Sequence, residues 1–281
     1  MTATTAQVVG VSDGSAVSHA LAAITTEGIA VQAVRDVKRD SPRGVFVALE
    51  GIDGAGKTTA TREAGGILRR RGMPVVAFDK KNPPFVSEYV AAHLAALGKV
   101  IWGHPPDDPY LELGDEHWIY LQLSWYSALA RCAVEPLLET GHVVLVDTWA
   151  YKFLAKLYLR PAVDAAGMRS LFARLVQPDL VIHLHLPPQI AAERKTAFAI
   201  SEAGNMEGPV ELSMDSFVAY QSRLAGVLAS FAREEGWRTI DTSLLSAEDV
   251  ADAVASTVET AIWGQSSAPI SRQPASVGRL T

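Results

Sequence analysis

The chain has 281 residues, 48% of them hydrophobic and 20% charged, which is an ordinary composition for one large or two small globular domains. Its formal net charge of −6 argues against a general nucleic-acid-binding surface. Cys132 is the only cysteine, so an intramolecular disulfide is excluded, and the sequence has neither a membrane-length apolar run nor a secretory signal pattern. We therefore expect a cytoplasmic protein with no nucleic-acid or membrane partner.

The first 43 residues predict an N-terminal extension, partly disordered. Residues 1–14 are rich in Thr, Ala, Ser and Gly, and residues 15–37 have short apolar patterns that fit either a helix or a strand. A main domain is predicted over residues 44–263. The polar, proline-containing residues 264–281 predict a disordered tail.

The main domain opens on a strand, a glycine-rich turn and a helix. Residues 45–49 are apolar and β-prone, and residues 58–71 have the spacing of an amphipathic helix. The turn between them matches the phosphate-loop pattern G-x-x-x-x-G-K-[ST] at every fixed position. Its backbone N–H groups can surround phosphate oxygens, and the helix N-terminus adds partial positive charge. The predicted nucleotide-binding residues are Gly51, Ile52, Asp53, Gly54, Ala55, Gly56, Lys57, Thr58 and Thr59.

Two of these residues have distinct chemical roles in the pattern. Lys57 can reach the β- and γ-phosphates of a nucleoside triphosphate, and the Thr58 hydroxyl can ligate Mg²⁺. The motif therefore predicts ATP and Mg²⁺ as cofactors.

A second strand is predicted at residues 75–78, followed by a polar segment with Lys80 and Lys81. Ligands of open parallel sheets bind beyond the carboxyl ends of the strands. Both lysines are therefore candidates for holding an anionic group of a second substrate, although a solvated loop would have the same sequence.

The next segment is predicted to be a helix at 87–96, a loop-rich stretch at 98–114 and a long helix at 116–138. The long helix has aromatic residues at helical spacing, among them Trp125. Such a stripe is more often core than ligand platform, but aromatic rings also stack on planar bases.

Residues 143–147 predict a third strand, apolar until it ends in Asp147. After a phosphate loop this is the form of a Walker B strand, whose carboxylate holds Mg²⁺ directly or through water. Thr148, Trp149, Tyr151 and Lys152 follow at the exit of the strand, where a substrate would lie.

The remaining sequence continues the alternation of helices and strands. We predict helices at 153–159, within 161–177 and at 189–195, strands within 178–188 and at 237–241, and helices at 214–235 and 247–262. His183 and His185 are interpreted as partly buried strand residues rather than metal ligands. Residues 194–213 predict a mobile lid. The whole pattern predicts an α/β fold, with a five-stranded parallel sheet covered by helices on both faces.

Over residues 45–262 the chain resembles the thymidylate kinases, of the nucleoside-monophosphate kinase group with the P-loop kinase fold. The sequence FVALEGIDGAGKTT matches the family's opening motif, and PDLVIHLHLPPQIAAERK is close to the family's PDLTLYLDVPPEVALERI. The spacing from Glu135 through Gly141 to Asp147 matches the segment that ends in the family's DR[YF]. Residues 217–221 and the terminal strand with its helix complete the resemblance.

The acceptor side departs from the family pattern. The DR[YF] sequence becomes Asp147-Thr148-Trp149, the FAADR segment falls near residues 123–126 without an Asp or Arg, and residues 80–84 replace REPGG. The arginines that grip a nucleotide phosphate are therefore missing. Two explanations stay open. Lys80, Lys81, Lys152 or Arg131 replaces them, or the acceptor is not thymidylate and carries no phosphate.

The resemblance implies Mg·ATP-dependent phosphoryl transfer to a small nucleotide-like acceptor, dTMP or a related monophosphate, by a homodimer. The alternatives are a kinase for a nucleoside or another unphosphorylated molecule, and a nucleotide-binding regulator without transfer. The predicted catalytic residues are Lys57, Asp53, Asp147 and Arg194, with Thr58 and Asp147 at the metal and Arg194 also near the nucleotide. The predicted acceptor-binding residues are Lys80, Trp125, Thr148, Trp149 and Tyr151.

Overall fold

A computed structural model describes the chain over residues 43–84, 87–103 and 110–265. The predicted disordered tail lies outside the described residues except for its first two residues, 264 and 265, which are helical rather than disordered. All but the last residue of the predicted extension also lie outside them. So does part of the stretch that was predicted to be loop-rich. The bounds of the main domain therefore stay a prediction.

The described residues form one five-stranded sheet in which every pairing is parallel, as predicted. The strand order is β2-β3-β1-β4-β5. In register, Leu49 and Asp79 both pair with Asp147. The carboxyl ends of β1, β2 and β3 therefore lie side by side, which is the edge where ligands bind in open α/β sheets. The strands are β1 (Phe46–Glu50), β2 (Val75–Asp79), β3 (Val143–Asp147), β4 (Leu180–His185) and β5 (Arg238–Asp241).

Helices cover both faces of the sheet, and every residue of β1 and β3 is buried. Short 3-10 turns occur at Tyr110–Glu112, Ile200–Glu202 and Asn205–Glu207. The helices are α1 (Lys57–Arg70), α2 (Glu88–Trp102), α3 (Gly114–Leu129), α4 (Glu135–Glu139), α5 (Tyr151–Tyr158), α6 (Ala165–Phe172), α7 (Pro188–Glu193), α8 (Met214–Glu235) and α9 (Ala247–Gln265).

Helix α2 continues to Trp102, so the prediction of a loop from residue 98 was wrong over its first five residues. The physical reason lies at Gly98. A Cβ there would be 3.4 Å from the Trp125 ring, so the glycine lets α3 pack closely on α2 without ending the helix. The predicted helix at 116–138 is helical throughout, but a π-helical turn at Ala130–Val134 separates α3 from α4.

The predicted lid, residues 194–213, contains two of the 3-10 turns, and the structure assigns no α-helix to it. It connects α7 to α8 and passes beside the carboxyl edge of the sheet. Within the described part of the chain, none of the helices has the length and hydrophobicity needed to span a membrane.

Candidate active site

The phosphate loop runs from the end of β1 to the start of α1, and its glycines allow its shape. Gly54 and Gly56 have φ values of 84° and 85°, in the left-handed region that favours glycine. At Gly51 a Cβ would lie 2.6 Å from the carbonyl oxygen of Leu184, so a side chain is excluded there. Gly56 directly precedes α1, so the loop presents backbone N–H groups and a helix N-terminus to the same space.

Lys57 is the first residue of α1 and folds back across the loop, where its Nζ donates to the Ile52 carbonyl at 2.7 Å. Burial and, to a lesser extent, the nearby Lys152 lower its pKa to about 8, while Asp53, Asp147 and Glu50 oppose the shift. An anion bound in the loop would favour the charged ammonium.

Thr58 and Asp147 meet at the mouth of the loop. The Thr58 hydroxyl donates to one carboxylate oxygen of Asp147, and the Thr148 hydroxyl donates to the other at 3.0 Å. A hydroxyl and a carboxylate side by side fit Mg²⁺, which binds oxygen ligands and usually retains water or substrate phosphate in its remaining positions. The described residues contain no cluster of three or more His, Cys, Asp or Glu that would suit a metal held by protein groups alone.

Thr148 has φ 65°, the only positive value of a non-glycine residue in the described chain. Its N–H donates to the Leu49 carbonyl at 2.9 Å, which extends the pairing of β1 and β3 by one residue. The next N–H, of Trp149, donates to Glu50 Oε1 at 2.8 Å. The turn thereby places the Thr148 hydroxyl next to the candidate metal ligands.

Asp53 points from the phosphate loop to Lys152, and the two side chains form an ion pair. The Gln221 carboxamide contacts Asp53 at both its N–H and its carboxylate. Burial alone would raise the pKa of Asp53, but the positive charges of Lys152, Lys57 and Lys156 outweigh it and hold the pKa well below its ordinary value. Asp53 is therefore ionised at neutral pH.

These groups border a cavity of about 540 Å³ between the phosphate loop, the strand ends and the predicted lid. Of the described residues, six lysines and four carboxylates line it, an excess of two positive charges. The carboxylates are Asp53, Asp79, Asp147 and Glu202. The lysines are Lys57, Lys80, Lys81, Lys152, Lys156 and Lys195.

Besides Lys57, two of these ammonium groups contact neutral oxygens rather than carboxylates. Lys80 Nζ donates to the Tyr126 hydroxyl at 3.0 Å, and Lys156 Nζ donates to the Ser201 carbonyl at 2.7 Å. Burial lowers the pKa of both, that of Lys156 to about 8. By contrast, Lys195 is paired with Glu202 at 3.0 Å. Lys80 and Lys156 are therefore the cavity cations best placed to receive an anion.

Glu50 lies below the cavity and is fully buried at the end of β1. Its Oε2 has no hydrogen-bond partner among the described residues. Burial raises its pKa to about 7, although Lys80 and Lys57 oppose the shift. Glu50 therefore supplies less negative charge to the lysines than its type suggests.

The structure brings Thr59, Lys80 and Thr148 to the cavity, together with Asp53, Gly54, Gly56, Lys57 and Thr58 of the loop. The loop residues Gly51, Ile52 and Ala55 are buried and are not among the lining residues. Three predicted acceptor residues lie elsewhere. Trp125 packs edge-on against Trp102, and the buried Trp149 ring packs edge-on against Phe46. Tyr151 donates to Gln177 at 3.2 Å and packs against Trp237. These rings pack among other side chains, as an aromatic stripe commonly does.

The two predicted arginines are also displaced from the cavity. Arg131 is exposed and pairs with Glu135 at 3.3 Å, so it does not replace a missing phosphate-binding arginine. Arg194 is exposed and donates to the Thr242 carbonyl at 3.2 Å. Its catalytic role stays a prediction. His183 is buried in β4, and burial lowers its pKa to about 4, so it is a neutral core residue as expected.

Sequence reasoning missed Lys156, Gln122 and the role of Gln221. Lys152 and Lys156 are four residues apart on α5, so they lie on one helix face, and that spacing was the available signal. Gln122 lines the cavity from α3, and its Oε1 has no partner among the described residues. Gln122 lies within an apolar helical pattern, and that sequence context did not indicate that its side chain lines the cavity.

Curated relatives of the chain are thymidylate kinases. It is 27% identical to the thymidylate kinase of Arabidopsis thaliana over 164 residues, 57% of this chain and 56% of that protein. It is 28% identical to that of a Synechococcus strain over 208 residues, 72% of this chain and 90% of that protein. It is 32% identical to that of Xanthomonas campestris over 162 residues, 55% of this chain and 61% of that protein. No protein-family model matches the chain.

The parallel sheet, the phosphate loop and these relatives agree with one another. The identities are low, and the segments around the acceptor side depart from the family pattern. The chain is therefore a divergent thymidylate kinase-like protein with the P-loop kinase fold.

Proposed function

We propose that the enzyme transfers the γ-phosphoryl group of Mg·ATP to the phosphate of a nucleoside monophosphate, dTMP or a related nucleotide. The observation that carries the acceptor class is the pair of ammonium groups, Lys80 and Lys156, which line the same cavity as the phosphate loop and have no carboxylate partner among the described residues. The relatives, which are named thymidylate kinases, support the same class.

The donor half would be built by α1 and its loop. Lys57 and the loop N–H groups would hold the triphosphate, and Thr58 with Asp147 would hold Mg²⁺. When bound, Mg²⁺ neutralises developing charge on the β- and γ-phosphate oxygens. Thr148 would fix the Asp147 carboxylate through its 3.0 Å hydrogen bond.

In the transfer, an oxygen of the acceptor phosphate forms a bond to the γ-phosphorus. The bond from that phosphorus to the β,γ-bridging oxygen breaks, which yields ADP and a nucleoside diphosphate. A phosphate monoester is already largely dianionic at pH 7, so this nucleophile needs no general base. Asp53, whose pKa is held low by lysines, would therefore act by position and charge rather than as a proton acceptor.

The acceptor half would use Lys80 and Lys156 for the phosphate. Trp102 and Gln122 line the same cavity and are available to a planar base. The Gln122 carboxamide offers donors and an acceptor in one plane, as recognition of a base edge requires. From the family resemblance we also propose that the protein is a cytoplasmic homodimer, a state that light scattering of the purified protein would test.

The experiment is a coupled assay of ADP release with Mg·ATP, run with nucleoside monophosphates and with the matching nucleosides. We expect turnover of at least one monophosphate and at least about 100-fold lower kcat/KM for its nucleoside, since two charge-assisted contacts are lost. Lys80→Met and Lys156→Met should each raise KM for the monophosphate. Lys99→Met is the matched control, because Lys99 is exposed on α2 and is not among the cavity-lining residues.

Nucleosides turned over as well as monophosphates would favour a kinase for unphosphorylated acceptors and contradict the proposal. Binding of ATP without ADP release in any mixture would instead point to a regulator.

A further inference from the structure

Gln221 is a fully buried polar residue of α8 that joins two separate parts of the site. Its Oε1 accepts the N–H of Asp53 at 3.0 Å, within the phosphate loop. Its Nε2 donates to the carbonyl of Glu202 at 2.7 Å and to the Asp53 carboxylate at 3.3 Å. One carboxamide therefore contacts the phosphate loop and the turn Ile200–Glu202, which we call the lid turn.

The contacts require the chemistry of a carboxamide. Asp53 N–H needs an acceptor, while the Glu202 carbonyl and the Asp53 carboxylate both need donors. Glutamine supplies one acceptor and two donors at this reach, whereas glutamate supplies acceptors only and methionine supplies neither. Because Gln221 is buried, any of these groups left unpaired would carry the cost of lost hydration.

Both ends of this connection border the cavity. Asp53 and Glu202 line it, as do two lysines that also hold the lid turn. Lys156 donates to the Ser201 carbonyl at 2.7 Å, and Lys195 pairs with the Glu202 carboxylate at 3.0 Å. Of the three side chains, Gln221 is the one that also binds the backbone of the phosphate loop.

We propose that Gln221 is a positioning residue that couples the lid turn to the phosphate loop, so that phosphates bound in the loop order the lid turn. The proposal rests on the proposed function only in that a nucleotide binds at the loop. Gln221 would not contact either substrate. It would act through Asp53. Gln221 accepts the Asp53 N–H and donates to the Asp53 carboxylate, which also forms the ion pair with Lys152.

The test is amide hydrogen exchange of the full chain with and without Mg·ADP, followed in residues 51–58 and 199–207. For the natural sequence we expect Mg·ADP to slow exchange in both segments. In Gln221→Met, exchange near Asp53 should be faster by about fivefold without ligand, the effect of one net hydrogen bond. Mg·ADP should then slow exchange in the loop but not in the lid turn.

Ser222→Ala is the matched control. Ser222 is exposed, directly follows Gln221 on α8, and its hydroxyl bonds the Val218 carbonyl within the same helix. It should behave as the natural sequence. Gln221→Glu is the second variant, because it keeps an acceptor for the Asp53 N–H but cannot donate to Glu202. It should also uncouple the lid turn.

Steady-state kinetics separate positioning from a purely structural role. Both Gln221 variants should lower kcat about 10- to 100-fold, as a misplaced catalytic group does, with a smaller change in KM for ATP. An equal response of the lid turn to Mg·ADP in Gln221→Met and the natural sequence would overturn the coupling and leave the proposed function intact. Absence of Mg·ADP binding to the natural sequence would overturn the proposed function and the coupling together.

Discussion

At the scale of single residues, the proposed acceptor site has lysine where the thymidylate kinase pattern has arginine. Lys80 follows β2, in the segment that reads REPGG in the family pattern, and Lys156 approaches from α5. A guanidinium stays charged in any protein environment, whereas a buried ammonium can lose its proton. If these lysines bind the acceptor as proposed, its affinity will depend on pH in the physiological range.

The first prediction at this scale is a pH profile. At saturating Mg·ATP, kcat/KM for the monophosphate should be highest between about pH 6, where the acceptor phosphate loses its second proton, and about pH 8. Below pH 8 the Lys156 ammonium is charged and attracts the acceptor, and above pH 8 it loses its proton and that attraction. The value should then fall by up to about tenfold per pH unit. Saturating ATP keeps the Lys57 ammonium charged, so the titration of Lys57 does not contribute to the pH dependence of kcat/KM.

Lys156→Arg is the discriminating variant. The arginine keeps its charge, so the fall should move to higher pH. An unchanged midpoint in Lys156→Arg would show that Lys156 does not control acceptor binding. Asp53, Lys152, Lys80 and Glu202 also act on the Lys156 pKa, and all four are the same in this variant.

The sequence predicts some residues of the candidate site but not others. The phosphate loop was predictable because its spacing alone defines the backbone geometry and the positions of Lys57 and Thr58. Asp147 was predictable because it ends an apolar strand. Gln122 and Gln221 were not, since their contacts depend on how α3 and α8 pack against the sheet and the loop. The Trp149 ring is buried against Phe46, and the sequence alone does not distinguish a buried aromatic residue from one that lines a cavity.

At the scale of secondary structure, the strands were predicted to within a few residues. For β1 and β3 the reason is that parallel strands buried on both faces read as continuous apolar runs. The helix ends were harder to predict. Gly98 is a breaker by propensity but lies inside α2, because its missing side chain admits the Trp125 ring. The sequence of the π-helical turn, Ala130–Val134, contains no residue that would have predicted a π-helix.

Two adjacent glycines of α1 provide a prediction about helix packing. At Gly65 a Cβ would lie 2.5 Å from the Ala77 Cβ on β2, whereas at Gly66 its nearest contact is the Arg70 guanidinium at 3.5 Å. Gly65→Ala should lower the free energy of unfolding by about 1–3 kcal/mol, since neither the helix nor the strand can yield. Gly66→Ala should raise it by about 0.5–1 kcal/mol through helix propensity.

Urea unfolding of both variants measures this difference, with Gly66→Ala as the control for alanine propensity. Equal stabilisation by the two substitutions would mean that α1 does not pack against β2 at Gly65.

At the scale of the whole molecule, a chain with a net charge of −6 encloses a cavity with an excess of two positive charges. The carboxyl ends of β2 and β3 contribute Asp79 and Asp147 to the cavity, and the elements that follow β1, β2 and β3 contribute most of its lysines. Under the proposed function, α1 would hold the donor, while β2, α5 and the predicted lid would surround the acceptor. The positive excess suits phosphorylated substrates.

The central claim is phosphoryl transfer between two nucleotides in this cavity, and ³¹P NMR of the reaction tests it most directly. With Mg·ATP and an accepted monophosphate, the account predicts equal amounts of ADP and the acceptor diphosphate. Lys57→Ala should reduce the rate by at least about 100-fold while the protein stays folded. If ATP persists with every monophosphate, or is converted to ADP and inorganic phosphate alone, the claim is contradicted.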